Sequence, residues 1–306
     1  MLQKIIVSLL LNFAFSFYCI ADQFNLDVGT GYEKVTSPLV RIDLEGPLIL
    51  VDGRSQLAGQ FYQVKADGLK DWDVGSKSTF NLSANLDVKD SPKAQGLNFS
   101  TASLEAVWRT ELDHFNLSVG PTIQRVWVAN ARFRDNVCLQ TDLTYVKDKG
   151  TYSNLYMALS KNYYVEDFEF MDSKAITVSL THHINEIAFG FTDLDLQLSA
   201  TRDKNIADSN DLSNYAYYGS VSIDRKMLGL TWSFVASMTQ SYFDEPFFDG
   251  FAKRRDRYIS YEIDVERKLT DQLSLNLAIN TAENYSNLAL FQSDYQLINL
   301  TLNYTY

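Results

Sequence analysis

Residues Gln296 to Tyr306 read QLINLTLNYTY. Ile298, Leu300, Leu302, Tyr304 and Tyr306 fall on one face of an extended chain, and Asn299, Thr301, Asn303 and Thr305 on the other. Side chains alternate faces along a strand, so one face here is apolar and the other polar. The stretch ends on an aromatic residue. A soluble sandwich can also end on such a strand, so the preceding sequence has to decide.

Working backward, the same period of two recurs. Leu273, Leu275, Leu277 and Ile279 oppose Ser274, Asn276 and Asn280. Further alternating segments cover residues 259–266, 230–234, 220–224, 194–199, 176–181, 157–160, 139–144, 115–120, 103–109 and 80–88. Nearer the start, Phe24, Leu26, Val28 and Tyr32 alternate with Asn25, Asp27, Gly29 and Glu33. Residues 37–66 are harder to read. Leu39 to Leu44 and Leu57 to Val64 look extended, and Gly46-Pro47 and Asp52-Gly53 are turn signals. The run Leu48 to Val51 reads either as strand or as a segment packed inside a barrel.

The connections alternate in length. Short ones are expected near residues 111–113, 147–151, 185–186, 225–227 and 268–271, and long ones near 89–97, 129–136, 162–173, 202–213, 242–256 and 282–295. Outer-membrane barrels have short periplasmic turns and longer outer loops. A soluble sandwich has no reason to keep that phase. Tyr and Trp near strand ends (Trp108, Trp127, Tyr145, Tyr163, Tyr164, Tyr217, Tyr242, Tyr258 and Tyr304) fit interfacial girdles. The expected fold is an all-β, closed, antiparallel transmembrane β-barrel. Both termini on one side require an even strand number. Fourteen is the first choice. Twelve is the second, with residues 22–70 partly luminal or periplasmic.

The chain has 306 residues, enough for one large barrel. Met1 to Ala21 read as a secretory signal: Lys4 is the charged start, Ile5 to Phe17 the apolar run, and Cys19-Ile20-Ala21 the cleavage site before Asp22. The run is shorter than the roughly 20 residues a spanning helix needs. The barrel domain is then residues 22–306. Cleavage leaves Cys138 alone, so no intramolecular disulfide is expected. Three His and one mature Cys make a Cys/His metal site or a Cys–His nucleophile improbable. A net charge of −11 argues against nucleic acid.

Residues Arg255-Asp256, Leu269-Thr270-Asp271 and Ser286-Asn287, with the closing strand, resemble the barrel domain of the surface lipoprotein assembly modifier family. The resemblance covers roughly the last 60 residues and implies a barrel that moves lipoproteins to the cell surface. Members also carry a periplasmic helical repeat domain, of which no trace is visible here. Only the fold is carried over.

If the polar faces point inward, the lumen is acidic. Asp27, Glu33, Asp87, Glu105, Asp142, Asp195, Asp224, Glu262, Asp264 and Glu266 face it, with Lys89, Arg109 and Arg41 as bases. Carboxylates in a water-filled pore concentrate cations. The competing reading pairs them with bases on neighbouring strands. Residues 242–257, YFDEPFFDGFAKRRDR, form the most distinctive loop. Asp244, Glu245 and Asp249 suit a hard cation, but their spacing is not that of an EF-hand, and no metal or cofactor is expected. Lys253, Arg254, Arg255 and Arg257 could meet lipopolysaccharide phosphates at the outer rim, or pair with the acids of the same loop. Phe243, Phe247, Phe248 and Phe251 suggest a loop that packs into the mouth.

His183 is expected to face inward and His182 lipid or the interface, with no nucleophile motif beside either. The expected function is a passive, cation-preferring channel for small hydrophilic solutes, with loops 202–213 and 242–257 as its constriction. The chain is not expected to be an enzyme. An export or surface-assembly barrel and a structural or adhesive barrel are the alternatives. Expected partners are outer-membrane lipid, lipopolysaccharide and, through the last strand, the barrel assembly machinery.

Overall fold

An alternating wall with one apolar and one polar face has to hide both its apolar side and its strand edges. The chain does so by closing. The computed structural model describes residues 21–36, 39–41, 48–50, 57–148, 150–185, 191–207, 210–247 and 252–306. The proposed signal, the turns at 46–47 and 52–53, and Phe248, Asp249 and Phe251 lie outside these residues.

The strands are β1 Gln23–Thr36, β2 Leu39–Arg41, β3 Leu48–Leu50, β4 Leu57–Gly75, β5 Ser78–Asp90, β6 Phe99–Leu112, β7 Phe115–Val128 and β8 Ala131–Asp148. They continue as β9 Thr151–Tyr164, β10 Ser173–Asn185, β11 Phe191–Asn205, β12 Asn214–Met227, β13 Leu230–Phe243, β14 Arg255–Lys268, β15 Leu273–Ser286 and β16 Ser293–Thr305. Fourteen strands close into one antiparallel barrel, as the first-choice count expects, while β2 and β3 pair only with each other. Both β1 and β4 belong to the wall. Residues 65–75, unassigned in the sequence reading, continue β4.

The seam joins β1 to β16. Phe24 and Tyr306 exchange backbone hydrogen bonds, N–H to O, at 3.1 and 2.8 Å. The terminal aromatic residue thus helps to lock the closure. With strands about 4.8 Å apart and tilted about 40°, fourteen strands enclose a cylinder roughly 28 Å across between backbones.

The outer surface is the apolar face. Ile298, Leu300 and Leu302 point outward and stay about half exposed, as do Ile176, Val178 and Leu180. Each such side chain gains roughly 1.5–3 kcal/mol when water is removed from it. A continuous belt of them is stable only in hydrocarbon, which also forbids a free strand edge.

Tight turns gather at the end where β1 starts and β16 ends, called here the turn end. Asp113-His114 and Leu228-Gly229 connect strands there, and Asp113, Leu228 and Gly229 all have positive φ. Longer connections gather at the loop end. One expectation fails: residues 129–136 are not a long loop. Ala129 and Asn130 (φ 48° and 67°) make a two-residue turn, and β8 starts at Ala131. The polar outer end of β8 carries Arg132, Arg134 and Asp135, and its composition imitates a loop. Trp108, Phe115 and Tyr145 face outward near the turn end, and Tyr163, Tyr217 and Tyr242 near the loop end. Tyr258 and Tyr164 do not join the girdle. Tyr258 lines the interior, and Tyr164 packs edge-on to Phe133 at 5.3 Å.

Candidate functional site

Strand parity puts the acids on the inward face, and register decides what each one meets. Asn280 stands opposite Glu262 and donates to it at 2.8 Å. Asn276 donates to Asp264 at 3.3 Å and Asn154 to Asp142 at 3.3 Å. Gln63 donates to both oxygens of Asp87, at 2.8 and 3.1 Å. Gln140 on β8 reaches Glu105 on β6 at 2.5 Å. Between them lies Gly120 of β7, which stands opposite Gln140 and has no side chain to block the reach. A Cβ at Gly120 would come 2.0 Å from the Ala106 carbonyl oxygen, so the close strand approach demands glycine there.

These partners are neutral amides. They satisfy the carboxylates without cancelling their charge. Bases are few on this face. Lys65 lies 3.9 Å from Asp87, and Lys89 binds Glu33 at 2.7 Å. Asp224 and Asp264 face the same residue, Ser233, from either side, and Glu262 and Glu266 share the Asp264 face of β14. Asp67 and Asp71 of β4 also face inward and take amide hydrogens from Asn85 and Asn81. The sequence reading missed both because β4 was read only as far as Val64. The alternation of Asp67, Leu69 and Asp71 with Ala66, Gly68 and Lys70 is too irregular to mark a face.

The loop end of the lumen is narrowed from one side. Residues 91–98 fold inward, held by Ser91 N–H to Asn98 Oδ1 at 2.6 Å and Leu97 N–H to Ala94 O at 2.8 Å. Ala94 and Leu97 bury against Val35 and Leu57, with Tyr295 alongside. Two glycines make room for this filling. A Cβ at Gly59 would lie 3.1 Å from that of Ala94, and one at Gly31 would lie 2.6 Å from Cζ of the fully buried Phe61. A cavity of about 400 Å³ remains, lined by Glu33, Lys89, Leu97, Tyr218, Tyr258 and Glu262 among others. The connection 91–98 therefore narrows the lumen, a role the sequence reading gave to 202–213 and 242–257.

The bases of the 242–257 loop separate. Arg254 is buried, binds Asp256, and stacks over Phe291 and Phe243 at 3.5 and 4.1 Å. It does not face the rim. Arg255 and Arg257 alternate with it and point outward, beside Tyr242 and Gln240. Lys253 is exposed. Asp244 pairs with Arg202 of β11 rather than with a base of its own loop. Phe247 packs edge-on to Phe291 at 4.8 Å.

His183 faces inward, with Nδ1 2.8 Å from Asp195 and Nε2 3.5 Å from Asp193, and stacks on Tyr152. Carboxylates thus flank both ring nitrogens. His182 faces outward and bonds Ser153 Oγ at 2.9 Å. Cys138 is a free thiol. Among the described residues no group of His, Cys, Asp and Glu is arranged to hold a metal.

Solved structures share this fold. A FadL homologue from Pseudomonas aeruginosa matches at TM-score 0.51 and 10% identity, over 92% of this chain and 90% of that one. An anion-selective porin from Comamonas acidovorans matches at TM-score 0.50 and 9% identity, over 94% and 99%. At such identity the likeness shows the fold alone, that of outer-membrane β-barrels. No family model and no curated protein matches the sequence. Neither comparison supports the resemblance to the surface lipoprotein assembly modifier family.

Proposed function

We propose that the protein is a passive channel of a bacterial outer membrane, reached after cleavage of residues 1–21, and that it passes small hydrophilic solutes with a preference for cations. One observation carries the cation preference: Glu105 and Glu262 take hydrogen bonds from amides, and among the described residues no base forms an ion pair with either. Their charge stays in the lumen, where it attracts cations and repels anions. The fold does not set the sign, since the similar Comamonas porin is named as anion-selective. No covalent step is involved.

The test is conductance of the refolded chain in a planar bilayer under a salt gradient. Current steps with a cation-selective reversal potential support the proposal. Glu262→Gln with Asp264→Asn should move that potential toward zero. A second reading, a structural barrel with a blocked lumen, draws on the filling by Phe61, Leu97 and Tyr295. Absence of current from a folded, inserted barrel would favour it and sink the channel.

A further inference from the structure

The outward face at the loop end carries charge of the opposite sign to the lumen. Lys161 of β9 stands opposite Lys174 of β10, and Lys174 stands opposite Lys204 of β11. The three lysines form one row across three strands. Two residues deeper on the same face lie Leu159 and Ile176, 55% and 54% exposed. The apolar belt thus begins directly beneath the row.

Directly opposed like charges on neighbouring strands destabilise a sheet. Little among the described residues relieves this row. Among the described residues no ion pair joins any of the three lysines to a carboxylate. Lys204 feels the charge of Asp244, but Arg202 already holds that carboxylate. Lys161 Nζ instead lies 4.2 Å from the Tyr163 ring centroid. Arg202, Arg255 and Arg257 extend the basic zone around the rim, among Tyr215, Tyr217 and Tyr242.

The row also sits at a definite height. From Lys174 to His182, β10 advances eight residues. At about 3.4 Å each and a tilt of about 40°, that is roughly 21 Å, close to the thickness of the apolar band of such barrels. The polar pair His182–Ser153 closes the belt at the turn end, and the lysine row closes it at the loop end.

We propose that Lys161, Lys174 and Lys204 form a docking surface for the phosphate of a phosphorylated lipid head group in the leaflet at the loop end. This rests on the membrane-barrel reading above. The phosphate oxygens accept from the ammonium groups and cancel their repulsion. The acyl chains run down the Leu159, Ile176 and Val178 face. That apolar continuation selects a lipid phosphate over a free one. The surface replaces the 253–257 cluster, from which Arg254 is withdrawn, as the main lipid phosphate contact.

The experiment uses the full chain refolded in non-ionic detergent and then titrated, with bound lipid counted by native mass spectrometry. The probes are bis-phosphorylated lipid A, the same lipid without its phosphates, and inorganic phosphate. The wild type should retain the phosphorylated lipid. The triple variant Lys161→Gln/Lys174→Gln/Lys204→Gln should bind it about 100-fold more weakly, since each basic residue near an anionic surface contributes about fivefold. Without lipid the triple variant should melt no lower than wild type, because its loss relieves repulsion. Lys174→Gln alone, at the centre of the row, serves if the triple variant does not fold. Equal binding by wild type and variant overturns the proposal, and so does equal binding of the dephosphorylated lipid. Displacement of the lipid by an equal concentration of inorganic phosphate makes the row a free-anion site and overturns it too. Failure to insert into liposomes would overturn the membrane reading itself. Insertion with indifference to phosphate overturns this proposal alone.

Discussion

Arg202 holds Asp244 through both terminal nitrogens of its guanidinium, one of them at 2.9 Å, and so ties the outer end of β11 to the β13–β14 connection. The guanidinium also lies 4.0 Å from the Tyr215 ring centroid. The hydrogen bonds from Arg202 hold the Asp244 carboxyl below the usual carboxylate range. A depressed folded-state value fixes the sign. The clasp contributes fully above the unfolded value of about 3.9 and is lost as pH falls through the lower folded one. The pair faces solvent, so its contribution is about 1 kcal/mol or less. Local opening at residues 244, 245 and 247, read as amide exchange relative to the intrinsic rate at each pH, should therefore rise between about pH 5 and pH 2, and Asp244→Asn should show the raised opening already at neutral pH. Unchanged protection across that range in the wild type would count against the clasp.

The Arg254–Asp256 pair is enclosed, and its loss should cost far more. Asp256→Ala removes the carboxylate that the buried Arg254 guanidinium binds and should destabilise the barrel by about 3–5 kcal/mol. Arg254→Lys keeps the charge but loses the fork and most of the stacking on Phe291 and Phe243, at about 1–2 kcal/mol. Urea unfolding in detergent micelles measures both. Asp256→Ala within about 0.5 kcal/mol of wild type would show the site to be open to water.

Two glycines of β1 differ in what surrounds them. A Cβ at Gly31 would come 2.1 Å from the Ile298 carbonyl oxygen and 2.6 Å from Phe61, whereas one at Gly29 would first meet the movable Thr301 hydroxyl at 2.9 Å. Gly31→Ala should open the β1–β16 seam and cost about 2–4 kcal/mol, and Gly29→Ala less than half of that. Heat-modifiable mobility on gels reports the folded fraction. Equal yields of the two variants would mean that the seam has slack.

Phe61 fills the lumen side of the same seam and is fully buried. Phe61→Ala should raise single-channel conductance while lowering stability by about 3–5 kcal/mol. Unchanged conductance with lowered stability would place the current path away from this wall. Glu33→Gln tests the neighbouring charge. It leaves Lys89 without its 2.7 Å partner and should reduce cation selectivity.

The period of two in residues 296–306, repeated back to Phe80, determined the barrel, its inner and outer faces and twelve of its strands, and the extended stretches Phe24 to Glu33 and Leu57 to Val64 made fourteen the first choice over twelve. Which way a side chain points along a strand is a local property, so Glu262, Asp264 and His183 could be placed inward from sequence alone. Local composition misled where strands outrun the membrane, as at Arg132 to Asp135, because water-exposed strand and loop have the same polarity.

What each side chain meets was decided by the tertiary structure. Asn280 faces Glu262, Lys174 faces both Lys161 and Lys204, and Gly120 lets Gln140 reach past it to Glu105, because closure fixes every strand's register against two neighbours. Arg254 and Arg255 are adjacent and equally basic, yet one is buried against Phe291 and the other faces outward. Residues 91–98 narrow the lumen because Gly31 and Gly59, distant in sequence, leave a smooth wall beneath them and Phe61. The sequence carries those residues, but the space between them exists only once the barrel has closed.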